Sequence, residues 1–396
     1  MAPSSTGIRG GRRPAGCPVD TLIVGAGPAG LAAARALQAR GREFLIVDGG
    51  QTIADSWRRH YDRLHLHTVR GESHLPDRPM PDHWPRYVSR DQVVEYLEAY
   101  TRHFGLEPML GCRVTCIEPG EAGWRATLAT GDTLDARHVI VATGTNRVPV
   151  EPDWPGRAET ALQVTHSRAY KNADPFAGAR VLVVGMGNTG AEIALDLSEH
   201  GVAATISVRG TVNVIRRDVL GLPVQLTALR LQRLPTALAA PIGRLLQSIT
   251  VGSLRRWGLE RPPHSPLMQL RTTGKTPVID IGTIEAIKRG RISVRPAIRR
   301  FHGREVEFVD GRIDPFDHVI LATGYRPDLE SLVPAAAGML DQRGFPHAIR
   351  GTGTLSGLYF LGFNPYDAGG VLRTIRHDAV RIADYLDASD RKAGAG

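Results

Sequence analysis

The sequence predicts an α/β chain built of two Rossmann-like dinucleotide-binding units, and three observations carry the prediction. A glycine fingerprint occurs twice, as Gly25-Ala26-Gly27-Pro28-Ala29-Gly30 and as Gly185-Met186-Gly187-Asn188-Thr189-Gly190. Each copy follows a short apolar run of strand character and opens a helical one. Two more strands, VIVATG at 139–144 and VILATGY at 319–325, end in Ala-Thr-Gly. They mark where the chain would pass from one unit to the other, so the second unit is expected to be inserted into the first.

Taken in order, residues 1–18 are rich in Gly, Pro, Ser and Arg and are expected to be a disordered tail. Arg12 and Arg13 are followed by no apolar core, so the start does not read as an export signal. Residues 21–24 form a strand, the first fingerprint turns it into the helix LAAARALQAR, and a second strand at 43–47 ends at Asp48. The first glycine makes the tight turn, the second admits a pyrophosphate, and the third lets helix and strand pack closely. The helix N-terminus faces the phosphates, and Asp48 stands where a carboxylate accepts the ribose hydroxyls. The second copy repeats this layout, with strands at 180–184 and 203–208 around the helix 191–199. Its second strand leads to Arg209 instead of an acid. A guanidinium there binds a 2′-phosphate that a carboxylate would repel; the alternative is an ordinary surface arginine. FAD is therefore expected in the first unit and NADPH in the second.

The map that follows is FAD domain over 19–164, NADPH domain over 165–325 with a helical excursion at 214–271, FAD domain again over 326–390, and a tail at 391–396. The excursion is leucine- and proline-rich and reads as short amphipathic helices broken at Pro223, Pro235 and Pro241. Lid, basic membrane-surface patch and plain domain packing are its three readings, and packing combined with a lid is the one expected. Near the end, 358–362 reads as a buried strand. Gly369-Gly370 opens a helix whose apolar face is Leu372, Ile375, Ala379, Ile382 and Leu386.

Composition narrows the function. The formal charge of +9 rests on 49 basic residues, of which only four are lysine, a pattern expected of a GC-rich, bacterial genome. These charges are scattered among 40 acidic residues, so nucleic acid is not expected as a partner. No apolar run is long enough to span a membrane, and a cytoplasmic location is expected. Cys17, Cys112 and Cys116 form no C-x-x-C pair. That removes the disulfide reductases, which share the two-unit plan but need a dithiol beside the flavin. His65, His67, His74 and His83 are too loosely spaced for a metal set, and no metal is expected.

Longer segments then become recognisable: SWRRHYDRLHLHT at 56–68, PRYVSRDQVVEYLEAY at 85–100, HSRAYK at 166–171, GKTPVIDIGTIEAIKRGRI at 274–292 and LATGYRPD at 321–328. The chain resembles the class B flavin-containing monooxygenases, and their YUCCA-like branch most closely. The resemblance implies an NADPH- and O2-dependent FAD monooxygenase working through a C4a-(hydro)peroxyflavin. The substrate would be a 2-oxo acid such as indole-3-pyruvate, or a heteroatom or ketone in secondary metabolism. An NADPH-dependent reductase feeding an external acceptor is the alternative. A homodimer is left open. The resemblance also implies that Trp57 stacks near the FAD adenine or ribose, with plain core packing as the alternative, that Thr143, Thr323 and Gly324 lie along the nucleotides, and that His166 either braces the NADPH domain or is a structural hydrogen-bonding histidine. His67 falls where the broader family touches the flavin peroxide; it either acts there or is a structural histidine in a Tyr61–Arg63–His65 network. Arg373, Arg376 and His377 form either an anion pocket or a solvated helix face. Thr160 and Leu162 depart from the family's Phe-x-Gly.

Overall fold

Backbone pairing sorts the strands into two main sheets, each with a parallel core, in a computed structural model that describes residues 18–393. The tail expected over 1–18 lies, apart from Pro18, outside the described residues. The first unit opens with β1 (Val19–Val24), α1 (Pro28–Gln38) and β2 (Phe44–Val47). Pro28 suits the first helical turn, where an N–H has no intrahelical partner. After a long loop comes α2 (Arg90–Phe104), started by a Ser89–Gln92 capping box and ended by Gly105 in the left-handed region. Then follow β3 (Val114–Gly120), β4 (Gly123–Leu128) and β5 (Thr133–Val141). Strand β1 pairs in parallel with β2 and β5, while β3 and β4 add an antiparallel edge.

The second sheet holds β6 (Gln163–His166), β7 (Arg180–Val184), the helix α3 (Asn188–Glu199) and β8 (Ala203–Ser207). The excursion begins with β9 (Val214–Arg216) and a hairpin of Asp218–Val219 with Leu222–Pro223. Only then do the helices α4 (Val224–Gln232), α5 (Thr236–Thr250) and α6 (Pro266–Thr273) appear. Strand β10 (Val278–Asp280) pairs with β9; β11 (Ile292–Arg295) and β12 (His318–Leu321) complete an all-parallel sheet of order β11-β8-β7-β12-β6. Its central strands are apolar on both faces because α3 covers one, against Val181, Val183 and Ile320, and a small antiparallel sheet covers the other, against Leu182, Val184, Val319 and Leu321. A three-stranded antiparallel sheet, Ile298–His302, Glu305–Phe308 and Ile313–Pro315, was not legible in the sequence, since a bulge at its first strand breaks the alternation.

The chain then returns to the first sheet. Strand β13 (Leu358–Phe360) pairs with the Val139–Val141 end of β5, and α7 (Val371–Ala393) lays its five apolar positions against the alanine-rich face of α1. The tail expected at 391–396 is helical through Ala393; residues 394–396 lie outside the described residues. Asp384 and Asp387 pair with Arg40 and Arg42, which fastens the final turns. Among the described residues no helix is long and apolar enough to cross a membrane.

The loop between β2 and α2 has little regular structure, and tyrosines hold it. The Tyr96 hydroxyl accepts from the Leu75 amide at 2.8 Å and donates to the Arg78 carbonyl at 2.6 Å, and the Tyr100 hydroxyl donates to Pro76 at 2.9 Å. Replacing Tyr96 by Phe leaves a buried amide and carbonyl unpaired. The expected loss in a denaturant titration is about 1–3 kcal/mol; a variant as stable as the parent removes this account of the loop.

Candidate active site between two nucleotide cradles

The three glycines of each fingerprint occupy three different environments, and the two copies match. A Cβ on Gly25 would lie 2.4 Å from the Ala142 carbonyl oxygen, and one on Gly185 would lie 2.7 Å from that of Ala322. Each first glycine is thus pressed against the Ala-Thr-Gly at the end of the neighbouring strand. A Cβ on Gly30 would meet the Gly25 oxygen at 1.7 Å, and one on Gly190 the Gly185 oxygen at 2.0 Å. Around Gly27 and Gly187 there is open space on the side where a Cβ would be. These second glycines cap the N-termini of α1 and α3, so each cradle presents a helix N-terminus beside room for phosphate. Pro28 and Ala29, and Asn188 and Thr189, form the first turns of the two helices.

Side chains complete the two cradles differently. The Asp48 carboxylate accepts from the amides of Ala26 and Gly50, both at 2.6 Å, so it clamps the first loop and keeps lone pairs free for a ribose. The Thr143 hydroxyl beside Gly25 is buried without a hydrogen-bond partner. Arg209 is exposed and makes no ion pair among the described residues. An orphaned hydroxyl at the first cradle and an unpaired cation at the second fit FAD and NADPH in these places. Trp57 sits on a short helix next to the Asp48 loop, half-buried against the first core and edge-on to His60. The Thr323 hydroxyl donates to the Val150 carbonyl at 2.5 Å, and the Gly324 carbonyl accepts from Val150 and from His166 Nε2. His166 is buried, accepts from the Arg168 amide at Nδ1, and is held below its ordinary pKa by burial. These bonds fasten the crossing itself, a two-stranded pairing of Val148–Pro149 with Tyr325–Arg326.

Between the cradles lies a cavity of about 790 Å³. Its walls include His67, Asn188, Ile215, Leu246 and Phe363, so both units and the excursion contribute. The excursion helices form its roof. Gln225, buried on α4, accepts from the Val69 amide at 2.7 Å and donates to the Gly369 carbonyl at 2.5 Å, which ties the roof to the first unit at two points. The N-terminal end of α7 closes the opposite wall, where Gly370 packs on Thr68.

His67 is the titratable side chain of the cavity that the sequence singled out. Its Nε2 stands 2.8 Å from Glu192 Oε1, and its Nδ1 is buried with no hydrogen-bond partner. Glu192 is 2% exposed and belongs to α3 of the second unit. Tyr61 donates to the same carboxylate; burial and that charge push the phenol well up, so it stays protonated. Of the Tyr61–Arg63–His65 network only a contact of His65 Nδ1 with the Arg63 carbonyl at 2.7 Å forms; the Arg63 guanidinium pairs instead with Asp196 and Glu199, and His65 is exposed. Arg373 and Arg376 make no anion pocket either, because both are paired with Glu72 and Arg376 also contacts His74. Gly274 ends α6 in the left-handed region. Thr160 and Leu162 pack on the three-stranded sheet, through the Gly303 carbonyl and the core around Phe308. Among the described residues no group of three or more His, Cys, Asp or Glu could hold a metal.

A model of the pyridine nucleotide-disulphide oxidoreductase family matches residues 22–240. The described cysteines, Cys112 and Cys116, are free. The chain is 39% identical over 371 residues to indole-3-pyruvate monooxygenase YUCCA1 of Oryza sativa subsp. japonica, with 91% of this chain and 90% of that protein covered. It is 38% identical over 378 residues to probable indole-3-pyruvate monooxygenase YUCCA9 of Arabidopsis thaliana, covering 92% and 88%. The chain belongs to the YUCCA family of flavin monooxygenases. The flavin-containing monooxygenase from Stenotrophomonas maltophilia shares the fold, with a TM-score of 0.72 at 23% identity over 94% of this chain and 98% of that one. This YUCCA-type chain is accordingly an FAD- and NADPH-dependent monooxygenase.

Two residues of this YUCCA-type site escaped the sequence reading. Glu192 stands in GAEIALDL, where an acid on an amphipathic helix reads as solvated; its burial arises only when the loop at 56–68 docks on α3. Gln225 stands among leucines of the excursion, and nothing in its neighbours signals the two distant backbone partners.

The glycine environments separate binding from folding. Gly27→Ala adds a methyl to open space at an ordinary φ of −77°, so the apo-protein should melt as the parent does while FAD content falls at least about tenfold. Gly30→Ala forces a clash and should cost about 1–3 kcal/mol of stability. Equal effects of the two on melting would contradict the geometry. Burial also holds His60, His74, His166 and His377 below the ordinary 6.5. Their folded-state pKa values are depressed, so the stability they contribute is present above pH 6.5 and drains away as pH falls below it. The melting temperature should therefore drop on acidification from about pH 7 to about 5; a flat profile would refute this.

Proposed function

We propose that this enzyme oxidatively decarboxylates a small apolar 2-oxo acid of the indole-3-pyruvate kind. The overall change is 2-oxo acid, O2, NADPH and a proton giving the acid one carbon shorter, CO2, water and NADP⁺. The observation that carries the reading is His67: one ring nitrogen faces the buried Glu192 carboxylate, and the other is unpartnered at the cavity. Support for the substrate class comes from the walls, where Leu222, Val224, Leu270 and Phe363 give an apolar lining and the exposed Arg216 and Arg230 are free to meet a carboxylate. Ketone or heteroatom oxygenation in secondary metabolism fits the apolar lining but leaves these arginines without a role. The arginine-rich, lysine-poor composition supports a bacterial source.

Bound FAD supplies the redox chemistry with NADPH and O2. The chain's own residues hold, orient and enclose. Gly27 and Gly187 admit the two pyrophosphates to the N-termini of α1 and α3, Asp48 holds the FAD ribose, and Arg209 holds the 2′-phosphate. The roof tied down by Gln225 keeps water out. Glu192 Oε1 lies 2.8 Å from His67 Nε2, which leaves the buried and unpartnered Nδ1 as the nitrogen to meet a substrate; protonated it would donate, neutral it would accept.

His67→Ala should keep its flavin and still oxidise NADPH, but divert electrons to hydrogen peroxide, with product formation slowed about 10²-fold. Glu192→Gln should show the same leak to a smaller degree. Peroxide released per NADPH consumed is the measurement, alongside mass spectrometry of the acid product; unchanged coupling in His67→Ala removes the histidine from the chemistry.

A further inference from the structure

The excursion has an outer face that neither the cofactors nor the cavity explains. On α5, Leu238, Ile242, Leu245 and Ile249 follow one another at four-, three- and four-residue steps and are 58, 41, 61 and 72% exposed. Four large apolar side chains in one stripe form a patch that a free surface rarely carries. The inner side of the same helix, at Gly243, Leu246 and Gln247, lines the cavity.

A second observation concerns the hairpin next to it. Leu220 sits at the tip, 98% exposed, with a φ of +51° followed by Gly221 at +76°. Two left-handed residues at a two-residue hairpin call for Asn, Asp or Gly. A leucine there is strained and presents its whole side chain to solvent. The hairpin is fixed in place, because Asp218 accepts from the Tyr87 hydroxyl at 2.7 Å and Arg86 donates to the Gly221 carbonyl at 3.0 Å.

Charge chooses the occupant. From 219 to 259 the sequence contains five arginines, Arg230, Arg233, Arg244, Arg255 and Arg256, and no acidic residue. Asp218, at the edge of this stretch, is already engaged, and Glu260 at the other edge pairs with Arg255. A second copy docking through the same face would bring like charges together. An apolar stripe framed by arginines, with Trp257 half-buried under Arg256, matches the acyl boundary and anionic headgroups of a bilayer.

We propose that α5 and the Leu220 hairpin seat this enzyme on an anionic membrane surface, lying on the bilayer without crossing it. Leu220, Leu222 and Leu246 belong to the cavity wall as well. In the seated state the roof therefore opens toward the acyl boundary, where an apolar substrate accumulates.

Co-sedimentation of the FAD-loaded full chain with vesicles tests this independently of any substrate. Vesicles of equimolar phosphatidylcholine and phosphatidylglycerol should carry the protein down, pure phosphatidylcholine vesicles should not, and salt should release it. The triple variant Leu238→Gln, Leu245→Gln, Ile249→Gln changes only exposed positions. It should bind the anionic vesicles at least about tenfold more weakly while oxidising NADPH in solution as before. Arg233→Glu with Arg256→Glu should weaken binding through charge alone. Absence of binding by the parent protein, or equal binding to both vesicle types, overturns the proposal. So does a parent dimer that the triple variant converts to monomer, because a second copy then covers the stripe.

Discussion

Everything at the site depends on one contact made twice, a glycine without a side chain pressed against the carbonyl of an alanine at a strand end. Gly25 meets Ala142 and Gly185 meets Ala322. Because no Cβ intervenes, the turn after β1 or β7 stays within hydrogen-bonding register of the adjacent strand, with the Ala142 and Ala322 amides bonded to Val24 and Val184. That register sets the direction of the following helix, and the helix N-terminus sets where phosphate charge is stabilised. The third glycine lets the helix lie close enough for the turn to be short. Remove the contact and the cradle, the helix and the cavity wall behind it all move.

The two units are not joined through the cradles alone. Thr323, Gly324 and His166 stiffen the crossing, and Gln225 spans from the roof to the first unit. Burying the Glu192 carboxylate is costly unless it is fully partnered. Its partners, Tyr61 and His67, both come from the other unit. Docking therefore brings both groups to that carboxylate, while its Oε1 still makes no hydrogen bond.

Much of this was legible in the sequence because local spacing dictates it. Glycine fingerprints, strand lengths and the apolar period of α7 depend on neighbours a few residues away, and the corresponding elements appear within one to three residues of where periodicity puts them. What escaped was decided at long range. Glu192 becomes buried, and Arg373 and Arg376 become paired, through residues far away in the chain. The sheet around Phe308 was hidden by a bulge, and the end of α7 was underestimated because its anchors, Arg40 and Arg42, belong to the opposite terminus. Sequence spacing brought His67 to the cavity and Tyr61 near it, but missed Glu192, the residue that both approach.

The placement of Glu192 also bears on how such a chain can be recombined. The helix that opens at the second fingerprint carries, one turn further in, the carboxylate that lies against an imidazole belonging to the first unit. Exchanging either nucleotide unit for a homologue would deliver a complete cradle and still leave that imidazole unaimed, unless the loop at 56–68 came with its matching helix. The pieces that can be inherited separately are therefore not the two nucleotide folds. The heritable module is the seam between them.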